Sequence, residues 1–61
     1  MLFKVMYEFE SGKTCITTFF HVKYLFQWYD VMRLQLKKAI VKTYVKGELY
    51  EVCDLKRNTI Q

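Results

Sequence analysis

Residues 2–20 read LFKVMYEFESGKTCITTFF, and this stretch decides the first half of the fold because it predicts a β-hairpin. Leu2 to Phe9 alternates apolar side chains with a second face that carries charge, the period of a half-buried strand. A turn follows in which Gly12 can take a positive φ. Thr14 to Phe20 is rich in β-branched and aromatic residues, which favour a second strand.

The register of this hairpin depends on whether its loop has two or three residues. We favour three residues closed by a glycine bulge. That choice places Cys15 beside Tyr7, Thr17 beside Val5, and Phe19 beside Phe3. The two-residue alternative places Ile16, Thr18 and Phe20 there instead, so in either case one of two adjacent phenylalanines faces away from the core.

From about Val22 to about Gln35 the pattern changes to that of a helix. Apolar residues recur at spacings of three and four along one stripe: Leu25, Trp28, Tyr29, Met32 and Leu36. Tyr24, Val31 and Leu34 lie outside this stripe. The apolar arc is therefore wider than one sheet face needs, and we expect a second packing surface.

Ala39 to Val45 and Glu48 to Cys53 predict a second hairpin around Lys46-Gly47. A two-residue loop places Lys42 opposite Glu51 as a pair of opposite charges. The apolar face that we expect to meet the core consists of Val41, Thr43, Val45, Tyr50 and Val52.

These elements predict an α+β fold of the order ββαββ, in which two antiparallel hairpins form one sheet with the helix packed on one face. We expect a single domain over residues 1–53. Residues 54–61 are polar apart from Leu55 and Ile60, and we expect this C-terminal tail to be loosely held.

Composition indicates a folded chain that seeks a partner. Of the 61 residues, 52% are hydrophobic and 18% aromatic, which is far too apolar for a disordered segment. A chain this short has little interior in which to bury such side chains. The surplus must lie on the surface, and we expect a partner protein or a second copy to cover it.

Charge is uneven, because the formal net charge of +4 arises entirely from Arg33 onward. That half favours anionic partners, although a solvated surface that aids solubility is the simpler interpretation. If nucleic acid binds, aromatic side chains would stack on bases while lysines neutralise phosphates. The candidates for such an interface are Lys42, Tyr44 and Lys46, but the glycine-rich and aromatic pattern of RNA-recognition sheets is missing.

Residues suited to catalysis or metal binding are scarce. His21 is the only histidine, and Cys15 and Cys53 lack the short paired spacing of zinc sites. Gly12 and Gly47 are each explained by a turn, so no phosphate-binding loop can be written. We therefore expect no enzyme, no metal and no cofactor, reduced thiols, and a cytoplasmic protein without a signal peptide or membrane span.

Candidate protein-binding residues lie on the helix. Trp28 and Tyr29 are either interface anchors or core residues, and the helical stripe favours the core. The better interface candidates are then the residues off the stripe: Tyr24, Val31, Arg33 and Leu34. We expect a homodimer formed by this outer helix face together with an exposed aromatic edge of the sheet.

The segments MYEFESGKT (6–14) and KGELYEV (46–52), which flank one central helix, resemble parts of short accessory proteins encoded by phages and other mobile elements of bacteria. The resemblance is one of layout over about residues 3–52 and transfers no functional residue. It implies a small inhibitor or adaptor that binds a host or defence protein in the host cytoplasm, often as a dimer. We favour this protein-binding function, and the alternative is a small basic nucleic-acid-binding module.

Overall fold

The computed structural model describes residues 1–57 and confirms the ββαββ order. The elements are β1 (Leu2–Phe9), β2 (Thr14–Phe19), α1 (Val22–Met32), one 3₁₀ turn (Arg33–Gln35), β3 (Leu36–Val45) and β4 (Glu48–Asp54). Helical structure ends at Gln35, where the sequence predicted its end. Strand β3 begins at Leu36, which is earlier than the predicted Ala39, so Leu36 contributes to the core from a strand and not from the helix.

All four strands form one antiparallel sheet in the order β2-β1-β3-β4. Strands β1 and β3 therefore occupy the centre, and β2 and β4 are its edges. This arrangement joins the two hairpins through the pairing of β1 with β3, in which Val5 lies opposite Val41.

The first hairpin has the three-residue register. Tyr7 pairs with Cys15, and Val5 pairs with Thr17. Gly12 has a φ of 99°, and its N–H donates to the carbonyl oxygen of Phe9 at 2.9 Å. This prediction is confirmed, and Phe20 is the phenylalanine that remains exposed.

The predicted pairing of Lys42 with Glu51 is wrong because a β-bulge interrupts the second hairpin. The turn itself is as expected, since Lys46 and Gly47 both have positive φ (52° and 82°), which is typical of a type I′ turn. The bulge then shifts the register between Thr43 and Tyr44. Lys42 consequently lies opposite Val52, and Glu51 lies opposite Thr43.

The bulge also corrects the predicted apolar face of this hairpin. Val41 and Thr43 are buried as expected and Val45 is half-buried, but Tyr50 and Val52 are exposed. Because one extra residue flips the alternation of a strand, Cys53 packs against the core instead.

The core lies between α1 and one face of the sheet. Its buried hydrophobic side chains are Phe3, Val5, Leu25, Tyr29, Leu36, Ala39, Val41 and Leu55. The ring of Trp28 lies 4.9 Å from that of Tyr7 and 5.7 Å from that of Phe19, measured between centroids. Tyr29 is therefore buried in the core and Trp28 is half-buried against it, so both pack inward as the helical stripe favoured.

The packed part of the chain continues past the predicted boundary at residue 53. Leu55 is buried, and its N–H donates to the carbonyl oxygen of Ala39 at 2.9 Å. Oδ1 of Asp54 accepts from the backbone N–H of Lys56 at 3.1 Å, and Nζ of Lys56 donates to the carbonyl oxygen of Arg33 at 2.8 Å. The remainder of the predicted tail, residues 58–61 with Ile60, lies outside the described residues.

Candidate interaction surfaces

Five exposed apolar residues lie on the helical segment, and three of them form what we call the helix stripe: Tyr24, Val31 and Leu34, the other two being Val22 and Phe26. The exposed fractions of the three stripe residues are 53%, 74% and 82%. Tyr24 and Val31 are two turns apart on α1, and Leu34 follows in the 3₁₀ turn, so the three lie along one side of the helical segment. The sequence prediction that these residues lie off the packed stripe is confirmed.

Polar groups border the helix stripe. Arg33 and Asp30 approach to 3.9 Å between Nε and Oδ1, and both side chains are largely exposed, so this ion pair adds little stability. At the other end, the ring of His21 lies 5.9 Å from that of Tyr24. The helix stripe thus has an apolar centre with polar groups at both ends.

The sheet presents a second surface on the side opposite α1, which we call the open face. Side chains alternate along a strand, so the residues between those that enter the core point to this face. Across three strands it carries an apolar row in which Met6 lies opposite both Ile16 and Ile40. The next row contains Lys4 opposite Lys42, with Val52 beyond.

The three candidates for a nucleic-acid interface come together at one end of the open face. Lys42 and Tyr44 lie two positions apart on β3, and Lys46 follows in the turn. Tyr44 and Lys46 line a shallow groove together with Lys4 and Phe20. Sequence reasoning missed these last two residues: Lys4 is visible on the charged side of β1, but its place beside Lys42 depends on the strand order.

Two tyrosines, buried Tyr29 and half-buried Tyr7, have pKa values raised above the ordinary value. Burial raises the pKa of Tyr7, and the hydrogen bond and charge of the neighbouring Cys15 act in the same direction. Burial also raises the pKa of Tyr29, a shift that Asp54 reinforces and the guanidinium of Arg33 opposes. Both phenols pack against the core and stay protonated at neutral pH, so they act as structural groups.

Cys15 and Cys53 lie on opposite edge strands of the sheet. Three strand spacings of about 4.8 Å separate these strands, roughly 14 Å in all. That distance is too large for a disulfide between them within one chain. Within residues 1–57, no three histidine, cysteine or carboxylate side chains converge as metal ligands.

In the described part of the chain, α1 is too short to cross a bilayer, and no other helix is long or apolar enough to do so. No protein-family model matches the chain, and no curated protein or solved structure does so either.

Proposed function

We propose that this chain is a non-enzymatic protein-binding module, a small inhibitor or adaptor that acts as a homodimer on another protein. The observation that carries the proposal is the helix stripe, because Val31 and Leu34 are mostly exposed although nothing in their position requires an apolar side chain. Exposed apolar side chains along one side of a helix on a small protein are typical of a binding surface. The layout of the chain, similar to that of phage accessory proteins, favours a host or defence protein in the bacterial cytoplasm as its target.

The test replaces Val31 and Leu34 together with glutamate. Both side chains are exposed, so V31E/L34E keeps the fold, but the charges must be desolvated when a partner covers the stripe. The matched control S11E/K13Q makes the same change of net charge in the exposed first turn. We expect stoichiometric capture of a protein from a bacterial lysate by the wild type and the control, and its loss in V31E/L34E; equal capture by all three contradicts the proposal.

A second candidate function, binding of single-stranded nucleic acid, is favoured by one feature of the open face. Lys4 and Lys42 lie directly opposite each other on the two central strands. Like charges in such positions destabilise a sheet, and the bulge has moved Glu51 away from Lys42. An anionic ligand would remove the repulsion, with Tyr44 and Phe20 beside the lysines to stack on bases.

This candidate is tested by gel shift with mixed-sequence DNA and RNA over a range of salt concentrations. We expect K42Q to weaken a salt-sensitive shift by several fold, because it removes one phosphate contact. K23Q makes the same charge change on the helix and leaves the shift unchanged. If both variants weaken the shift equally, net charge explains it and the open face is not the site.

A further inference from the structure

The two edges of the sheet differ in how well they are protected against pairing with another strand. Strand β4 carries three acidic residues, Glu48, Glu51 and Asp54, and contains a bulge. Strand β2, with the sequence TCITTF, has no charge, no proline and an unbroken register with β1. Charges and bulges are the usual means of blocking an edge, so β2 is the edge that remains open to pairing.

The hairpin geometry determines which backbone groups of β2 are available. The N–H of Phe9 donates to the carbonyl oxygen of Lys13 at 2.8 Å, which marks the first hydrogen-bonded pair of the ladder. Bonded and non-bonded pairs alternate in an antiparallel ladder, so Cys15 and Thr17 bond toward β1. The backbone N–H and C=O groups of the residues between them then point outward: Thr14, Ile16 and Thr18.

These three residues form a symmetric pattern, with threonine on each side of Ile16. We propose that β2 pairs antiparallel with β2 of a second copy, so that Ile16 lies opposite Ile16 of the second copy and Thr14 lies opposite its Thr18. This register brings outward-pointing backbone groups together on both strands and places no charge opposite another. The same symmetric pairing through β4 would place Glu51 opposite itself and Glu48 opposite Asp54, which like-charge repulsion opposes.

The pairing joins two four-stranded sheets into one sheet of eight strands. A two-fold axis perpendicular to the sheet keeps both helices on one side and both open faces on the other. The apolar rows of Ile16, Met6 and Ile40 then become continuous across the contact. This inference rests on the homodimer of the proposed function and names its contact. The helix stripe stays free for the other protein, since a second two-fold contact through it would link dimers into larger assemblies.

A single cysteine tests the register. In the proposed pairing Cys15 lies opposite residue 17 of the second copy as a non-bonded pair, with about 4.5 Å between Cα atoms, which suits a disulfide. Mild oxidation of T17C should therefore yield a covalent dimer in which peptide 14–23 is linked to its own copy by two disulfides. In T18C the new thiol points to the opposite side of the strand from Cys15, and that doubly linked peptide is not expected. Absence of the linked peptide in T17C overturns the register.

Sedimentation without oxidation tests the contact itself. We expect I16K to raise the dimer dissociation constant at least tenfold, because it places two like charges opposite each other at the centre of the contact. L49K makes the same kind of change at an exposed residue of β4 that lies opposite Tyr44, and it leaves dimerisation unchanged. A wild-type dimer that I16K does not weaken overturns the β2 contact but leaves the homodimer standing. A wild type that is monomeric at high micromolar concentration overturns the homodimer. The capture experiment with V31E/L34E tests the helix stripe separately from the β2 contact.

Discussion

Leu25 and Leu34 make a matched pair, because the same leucine-to-alanine change removes a core side chain at one and a surface side chain at the other. Leu25 is 2% exposed and Leu34 is 82% exposed. Truncation of a buried leucine costs about 2–5 kcal/mol, whereas a surface change stays within about 0.5 kcal/mol. At 0.05–0.15 kcal/mol per residue, the unfolding free energy of the 61-residue chain is about 3–9 kcal/mol. Leu25→Ala therefore removes between about a fifth and all of the stability.

Urea unfolding followed by the fluorescence of Trp28 provides the assay, since this ring lies between Tyr7 and Phe19 in the folded protein. The measurement is made at a protein concentration below that of self-association, so that dimer formation does not contribute. We expect Leu34→Ala to keep the wild-type midpoint and Leu25→Ala to lower it strongly or abolish the folded baseline. Equal midpoints for the two variants would refute the assigned orientation of the helix and, with it, the helix stripe.

Three further predictions concern single residues. Burial raises the pKa of Tyr29, so the folded state favours the neutral phenol, and the stability that this contributes is fully present below pH about 10 and is lost as the pH rises through the folded pKa. In thermal melts from about pH 8 to 11, the melting temperature of Tyr29→Phe should therefore fall less than that of the wild type. Lys46 has a φ of 52°, a conformation that asparagine tolerates better, so Lys46→Asn should raise the free energy of unfolding in urea by a few tenths of a kcal/mol while Lys46→Val lowers it. Asp54→Ala removes the acceptor of two backbone N–H groups and should cost about 1 kcal/mol in urea unfolding, whereas Asp54→Asn, which keeps an acceptor oxygen, costs less.

The candidate surfaces differ in how far the sequence could predict them. The helix stripe follows from helical periodicity. The positions of Tyr24, Val31 and Leu34 in the sequence are enough to place them at a different angle around the helix axis from the packed stripe. The basic row of the open face could be found only in part. Lys42 was predicted as a binding residue, but its neighbour Lys4 lies 38 positions earlier in the chain, and only the pairing of β1 with β3 brings the two together.

The sequence by itself determined the features that depend on neighbours along the chain. These are the alternation of β1, the turn at Gly12, the start of α1 near Val22 and the turn at Lys46-Gly47. Each of them follows from side-chain periodicity or from a backbone conformation that glycine permits, and both act over a few residues.

Only the tertiary structure decided the strand order, the bulge after Leu49 and the burial of Leu55. A regular second hairpin would satisfy the local pattern equally well and would place Tyr50 toward the core. In the structure the bulge turns Tyr50 out instead, and Cys53 and Leu55 pack against the core beneath α1. Which of the two registers is more stable depends on how side chains from distant segments pack together, and a local sequence pattern carries no information about that packing.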